Sequence, residues 1–168
     1  EIYAGLEVDY LRQDRGYTTA ELRDRGIQFI IGSVHYVGTF EDGRGFCFDG
    51  NPADFFRDAE RLYRNDFKEI VTGYFERVRE MILTDRPDVV GHMDKIRMHS
   101  TITPYVDESE PWYRQQVEDT LNLIAETGCI LEVNTRGWYK HDPPLLYPSA
   151  WVIGQAFRRN IPVMMNSD

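Results

Sequence analysis

The sequence predicts an α/β fold built on a parallel sheet, and three observations predict it. Short apolar, β-branched runs alternate with amphipathic stretches along the chain. The runs are apolar nearly throughout, as strands covered on both faces are. The stretches between them are long enough to be crossover helices, which parallel strands require.

Ile2 to Val8 reads as the first strand. Thr18-Thr19-Ala20-Glu21 is a capping-box pattern that opens a helix, and Gly26 ends it. Ile27 to Val34 is the second strand. A Gly-rich segment from Gly38 to Gly50 comes next, with Phe40, Phe46 and Phe48 inside it. It reads as a lid over a pocket or as a surface loop with a few buried aromatics. Asn51-Pro52 supplies an N-cap and a first-turn proline, and Phe55, Ala59, Leu62 and Tyr63 recur at helical spacing. A second helix spans about Phe67 to Leu83, with Ile70, Tyr74, Val78 and Met81 on one face. Pro87 to His92 is the third strand, and His99 to Glu110 a polar loop. A helix from about Pro111 to Thr127 ends at Gly128, and Cys129 to Val133 is the fourth strand. A helix from about Ser149 to Arg159 leads to the fifth strand, Ile161 to Met165. A closed barrel of eight units takes roughly 200 residues or more. The 168 residues here supply about five β/α units, enough for a short open sheet or for part of a barrel.

Composition narrows the function. The net charge is -9, from 19 Lys+Arg against 28 Asp+Glu, and no basic face is visible, which argues against nucleic acid as a partner. No apolar run is long enough to span a bilayer, and no segment has the layout of a signal peptide. Cys47 and Cys129 have neither zinc-site nor disulfide-framework spacing, so a reduced, cytoplasmic setting is expected.

The informative pattern lies at the strand ends. The first predicted strand ends at Glu7 and Asp9, the second at His35, the third at His92 and Asp94, the fourth at Glu132 and Asn134, and the last segment at Asp168. Carboxyl ends of parallel strands converge on one rim, where sites are built. Imidazole and carboxylate together suit Zn, Fe or Mn better than Ca or Mg. Such ions lower the pKa of a bound water and stabilise the attacking and leaving oxygens of a phosphoryl transfer. Any one of these residues could be an ordinary loop residue: Asp94 could cap the segment after it, and Glu132 could pair with a nearby cation. The coincidence at five strand ends carries the reading, with two of only 4 histidines among them. The other two, His99 and His141, are expected to face solvent. Lys95 and Arg97 come after His92, and Arg136 and Lys140 after Glu132, so an anionic substrate has cations near the same rim. Arg136, just past a strand end, is the foremost of these.

Gly5-Leu6-Glu7-Val8-Asp9-Tyr10, Ile31-Gly32-Ser33-Val34-His35-Tyr36-Val37 and Val90-Gly91-His92-Met93-Asp94 resemble the polymerase-and-histidinol-phosphatase (PHP) family. So do Leu131-Glu132-Val133-Asn134-Thr135 and Pro162 to Asp168. The order, the Gly-Ser-Val-His and Leu-Glu-Val-Asn-Thr segments, and Tyr147-Pro148-Ser149 are most similar to the histidinol-phosphatase branch. The resemblance implies a distorted, TIM-barrel-like (β/α) barrel of seven units with up to three divalent metal ions, Zn, Mn or Fe, at its C-terminal rim. It implies hydrolysis of L-histidinol phosphate, late in histidine biosynthesis. It makes Glu7, His35, His92 and Asp168 the metal-binding residues, through which catalysis runs. It puts Glu132, Asn134 and Arg136 near the substrate, with Arg97 and Lys140 as further phosphate-binding candidates. A small phosphate ester is the expected partner, with no nucleic acid and no membrane, and a homo-oligomer is compatible. The family's opening His-x-His motif has no counterpart here, and Asp168 stands where its closing Asp-x-His begins. The expectation is therefore a single PHP domain over residues 1–168 that is an internal piece of a longer protein, with an incomplete ligand set and impaired turnover by itself. The alternatives are a PHP-type phosphoesterase acting on nucleotides or phosphotyrosine, or a non-catalytic degenerate barrel.

Overall fold

The computed structural model describes residues 2–11 and 18–168. The chain runs β1 (Gly5–Asp9), α1 (Thr19–Asp24), β2 (Phe29–Ser33), β3 (Tyr36–Thr39), β4 (Gly45–Cys47), α2 (Pro52–Tyr63) and α3 (Phe67–Thr84). It continues through β5 (Val89–Val90), a 3-10 helix (Lys95–Thr101), α4 (Pro111–Thr127), β6 (Ile130–Asn134), α5 (Arg136–Lys140), α6 (Ala150–Arg158) and β7 (Val163–Asn166). Five strands form one wholly parallel sheet in the order β1-β2-β5-β6-β7. The five neighbours keep chain order in one direction, as in the wall of a barrel. Among the described residues β1 and β7 each pair on one side only, and Leu6, Val163 and Met165 on them stay exposed.

The predicted caps form. Thr18 and Glu21 close a reciprocal capping box on α1, Asn51 accepts from the Ala53 N–H, and Ser149 accepts from the Val152 N–H. Pro111 starts α4 and Gly128 ends it at φ +74°, a conformation that costs glycine nothing. Each crossover helix buries one stripe. On α3 the stripe runs Ile70, Tyr74, Val78, Met81 with Val71, Phe75 and Ile82 beside it; on α4 it runs Tyr113, Val117, Leu121, Ile124. α3 packs on α2 and α4, and α4 packs on α6. Each large side chain so buried contributes roughly 1.5–3 kcal/mol.

The aromatics of the Gly-rich segment are buried, as the surface-loop reading expected, but the segment itself is regular structure. It is an antiparallel hairpin, β3 with β4, whose Phe40, Phe46 and Phe48 are buried. Phe46 lies 5.7 Å from Phe55, and Phe48 meets Tyr74 edge-on at 5.2 Å. The stretch from Lys95 was expected to be polar loop from His99 onward, but Lys95–Thr101 is a 3-10 helix with Ile96 and Met98 in the core. The third strand is also shorter than predicted, only Val89–Val90, because the chain turns away at His92. No described helix is long and apolar enough to cross a membrane.

Candidate metal centre

All five sheet strands run parallel, so their carboxyl ends share one rim. Register places Glu7 opposite Ile31 and Asp9 opposite Ser33, which brings β1's two carboxylates beside the residues just past β2. Glu7, His35 and His92 converge there, one donor atom from each lying within 4.8 Å of the others. The two imidazoles have centroids 4.9 Å apart.

Each donor is held by its neighbours. Ser33 Oγ donates to Glu7 Oε1 at 2.7 Å, and His92 Nε2 lies 3.2 Å from the same oxygen. The His92 hydrogen bond, opposed by burial and reinforced by Ser33 and the charge of the imidazoles, draws the Glu7 carboxyl down to about 2. Glu7 is thus ionised at any physiological pH. The Asp9 carboxylate pairs with His35 Nδ1, which leaves Nε2, 3.5 Å from Asp49 Oδ2, as that ring's donor position. Gly91 has to be glycine: a Cβ there would collide with Ser33 Oγ, the hydroxyl that holds Glu7. His92 sits at φ +22°, where few L-residues go, and such strain persists only where the surroundings impose it. Here Glu132 imposes it, its Oε2 accepting the His92 N–H at 2.6 Å.

The donor set passes the test for a divalent ion. One ionised carboxylate and two imidazoles converge, Asp9 sets the tautomer of one ring, and the other ring keeps Nδ1 buried without a hydrogen-bond partner. These residues could hold a metal of the Zn, Mn or Fe type.

The cluster opens into a pocket lined by Glu7, Asp9, His35, Asp49, Lys95, Arg136 and Asp168. Four carboxylates face two cations, so the pocket attracts cations before anions. Asp168 is reached by Asn134 Nδ2 at 3.4 Å and by Arg136 Nη1 at 3.5 Å. Asn134 Oδ1 also accepts the Arg136 N–H, so this buried amide orients both.

Other candidates lie elsewhere. Glu132 is fully buried and accepts from His92 N and, at 2.6 Å, from Asn166 Nδ2; it braces the site from behind instead of facing a ligand. Arg97 turns into the protein, onto Asp94 at 2.8 Å, the Leu146 carbonyl and the Tyr147 ring, and does not line the pocket. Lys140 is exposed, lies over the Tyr139 ring and does not line the pocket. Asp94 is no simple cap: it is buried between Arg97 and the Ser149 N–H. His99 is buried against Phe55 with Nε2 on the Phe48 carbonyl, and His141 is half-buried, so neither faces solvent freely. Sequence reasoning passed over Asp49. Phe46 and Phe48 alternate as a strand does, and that alternation turns the residue after Phe48 toward the rim.

Known proteins point the same way. The PHP domain model matches residues 1–136. The "Probable histidinol-phosphatase" of Deinococcus radiodurans is 27% identical over 169 residues, covering 100% of this chain and 57% of that protein. The "Histidinol-phosphatase" of Bacillus subtilis is 27% identical over 175 residues, covering 99% of this chain and 62% of its own length. The crystal structure of a Listeria monocytogenes protein assigned as histidinol phosphatase superposes with a TM-score of 0.82 at 22% identity, covering 98% of this chain and 62% of that one. It shares the fold, and this chain spans about three-fifths of the length of these relatives. With four-fifths of the chain inside the family match and the metal-type cluster at the strand ends, the chain belongs to the PHP domain family.

Proposed function

We propose that the protein carrying this chain is a metal-dependent phosphomonoesterase that hydrolyses L-histidinol phosphate to L-histidinol and phosphate in the cytoplasm. The observation that carries this reading is the convergence of Glu7, His35 and His92 beside a pocket that Glu7 and His35 share with Lys95 and Arg136. The histidinol-phosphatase names of both curated relatives support the substrate.

In this reading Glu7, His35 and His92 hold divalent ions, with Asp168 at the edge of the pocket as a further ligand. Bound ions supply Lewis-acid charge and an activated water. The chain's own residues do the rest. Asp9 keeps His35 in the tautomer that presents Nε2 as the donor atom. Glu132 and Ser33 keep His92 and Glu7 in place. Arg136, anchored through Asn134, grips phosphate oxygens with its planar fork. Water oxygen bonds to phosphorus, the ester P–O bond breaks, and the histidinol oxygen leaves and takes a proton.

A substrate panel tests the reading. The intact protein, loaded with Mn or Zn, is expected to release phosphate from histidinol phosphate in preference to nucleoside monophosphates and phosphotyrosine. Turnover of one of those with none of histidinol phosphate sinks the substrate assignment.

A further inference from the structure

Lys95 is the cation that the pocket buries. It is 5% exposed, though lysine is among the residues least often found inside. Its Nζ donates to Asp49 Oδ2 at 2.8 Å, and the same oxygen lies 3.5 Å from His35 Nε2. The ammonium is therefore fixed beside one of the metal-donor rings. The other pocket cation, Arg136, is half exposed and 3.5 Å from its carboxylate, a much looser tie.

An ammonium carries three N–H donors. Among the described residues only Asp49 accepts one, which leaves two for a ligand. The 3-10 helix thus sends its two cations to opposite duties. Arg97 goes to the core on Asp94, while Lys95 goes to the pocket wall. A purely structural ion pair has no reason to line the cavity that holds Glu7 and His35. A compact, fixed ammonium there suits a tetrahedral oxyanion, whose oxygens accept from a point donor in any orientation.

We propose that Lys95 grips a non-bridging phosphate oxygen in this pocket, and that Asp49 is the positioning residue that holds its ammonium there. The proposal rests on the phosphomonoesterase reading for its substrate, though not for its anion. With ions on Glu7, His35 and His92, the pocket's acidic excess is offset, and Lys95 and Arg136 then bracket the phosphoryl group from neighbouring strand ends.

The test is calorimetric titration of inorganic phosphate into the intact Mn-loaded protein, with Mn titrated separately. Lys95→Gln keeps a donor for Asp49 and removes the charge, which guards the fold. It is expected to weaken phosphate binding by about 10- to 100-fold, a charged hydrogen bond's worth. Lys95→Arg should recover part of the loss, and Asp49→Asn should weaken phosphate less than Lys95→Gln does. Phosphate binding by Lys95→Gln within twofold of the parent overturns the proposal, whatever the enzyme hydrolyses. Loss of phosphate binding in that variant, in a protein that hydrolyses no phosphomonoester, upholds the anion site and overturns the phosphomonoesterase reading instead.

Discussion

The buried Glu132 carboxylate accepts the backbone N–H of His92 at 2.6 Å, one strand end holding the candidate metal-donor residue of the next. Its other oxygen takes the Asn166 amide at 2.6 Å. Both oxygens accept from N–H donors. Glu132→Gln forces one amide N–H against a donor. The expected outcome is a loss of about 1–3 kcal/mol in urea unfolding and about 10- to 100-fold weaker Mn binding. A raised KM with unchanged metal affinity would make Glu132 a substrate ligand.

Asp9 acts on the site from its exposed side. It holds His35 Nδ1, and its side chain is 40% exposed, so little folding energy rests on it. Asp9→Asn is expected to lower Mn affinity about tenfold or more while moving the unfolding midpoint hardly at all. Calorimetric metal titration beside urea melts separates the two effects.

Arg97 is a core cation. Its side chain is 10% exposed and its partner Asp94 wholly buried, so removing the guanidinium strands a carboxylate. Arg97→Met is expected to destabilise by about 3–5 kcal/mol and to leave phosphate affinity unchanged in the protein that remains folded. Normal stability with a raised KM would return Arg97 to the substrate.

What was legible in the sequence was local or periodic. The capping box at Thr18, the Asn51-Pro52 start, the stripe on α3 and the Gly128 stop all depend on neighbours within a few residues. Glu7, His35 and His92 were legible because parallel strands bring their ends together whatever lies between. The fates of Glu132 and Arg97 were not legible. Whether a charge faces a ligand or the core is decided by partners such as Asn166 and Leu146, which lie 34 and 49 residues away. The hairpin was missed because its glycines suggest a mobile loop. Two of them instead admit aromatic rings: a Cβ on Gly38 would meet the Tyr63 hydroxyl, and one on Gly45 the Tyr36 ring.

His99 ties stability to pH. Burial, against the pull of the Phe48 carbonyl, holds its pKa below the ordinary 6.5. Above about pH 6.5 the ring is neutral folded and unfolded, and pH does nothing through it. Below that, the unfolded chain takes up a proton that the folded chain resists, so stability falls as pH falls. His99→Gln keeps a donor for Phe48 and removes the titration. Urea melts at pH 7.5 and 5.5 are expected to show a smaller acid loss in the variant than in the parent; equal losses would mean that His99 is not buried in its neutral form.

Everything proposed for the site depends on Glu7, His35 and His92 holding the divalent ions that phosphate-ester hydrolysis needs. The decisive measurement is phosphate release from L-histidinol phosphate by the intact protein, stripped with a chelator and reloaded with Mn, Zn or Fe. The expected result is a silent stripped enzyme, activity restored by at least one ion, and a loss of about 100-fold or more in Glu7→Gln and His92→Asn. Turnover that survives stripping, or that either variant retains at the parent rate, would overturn the metal centre.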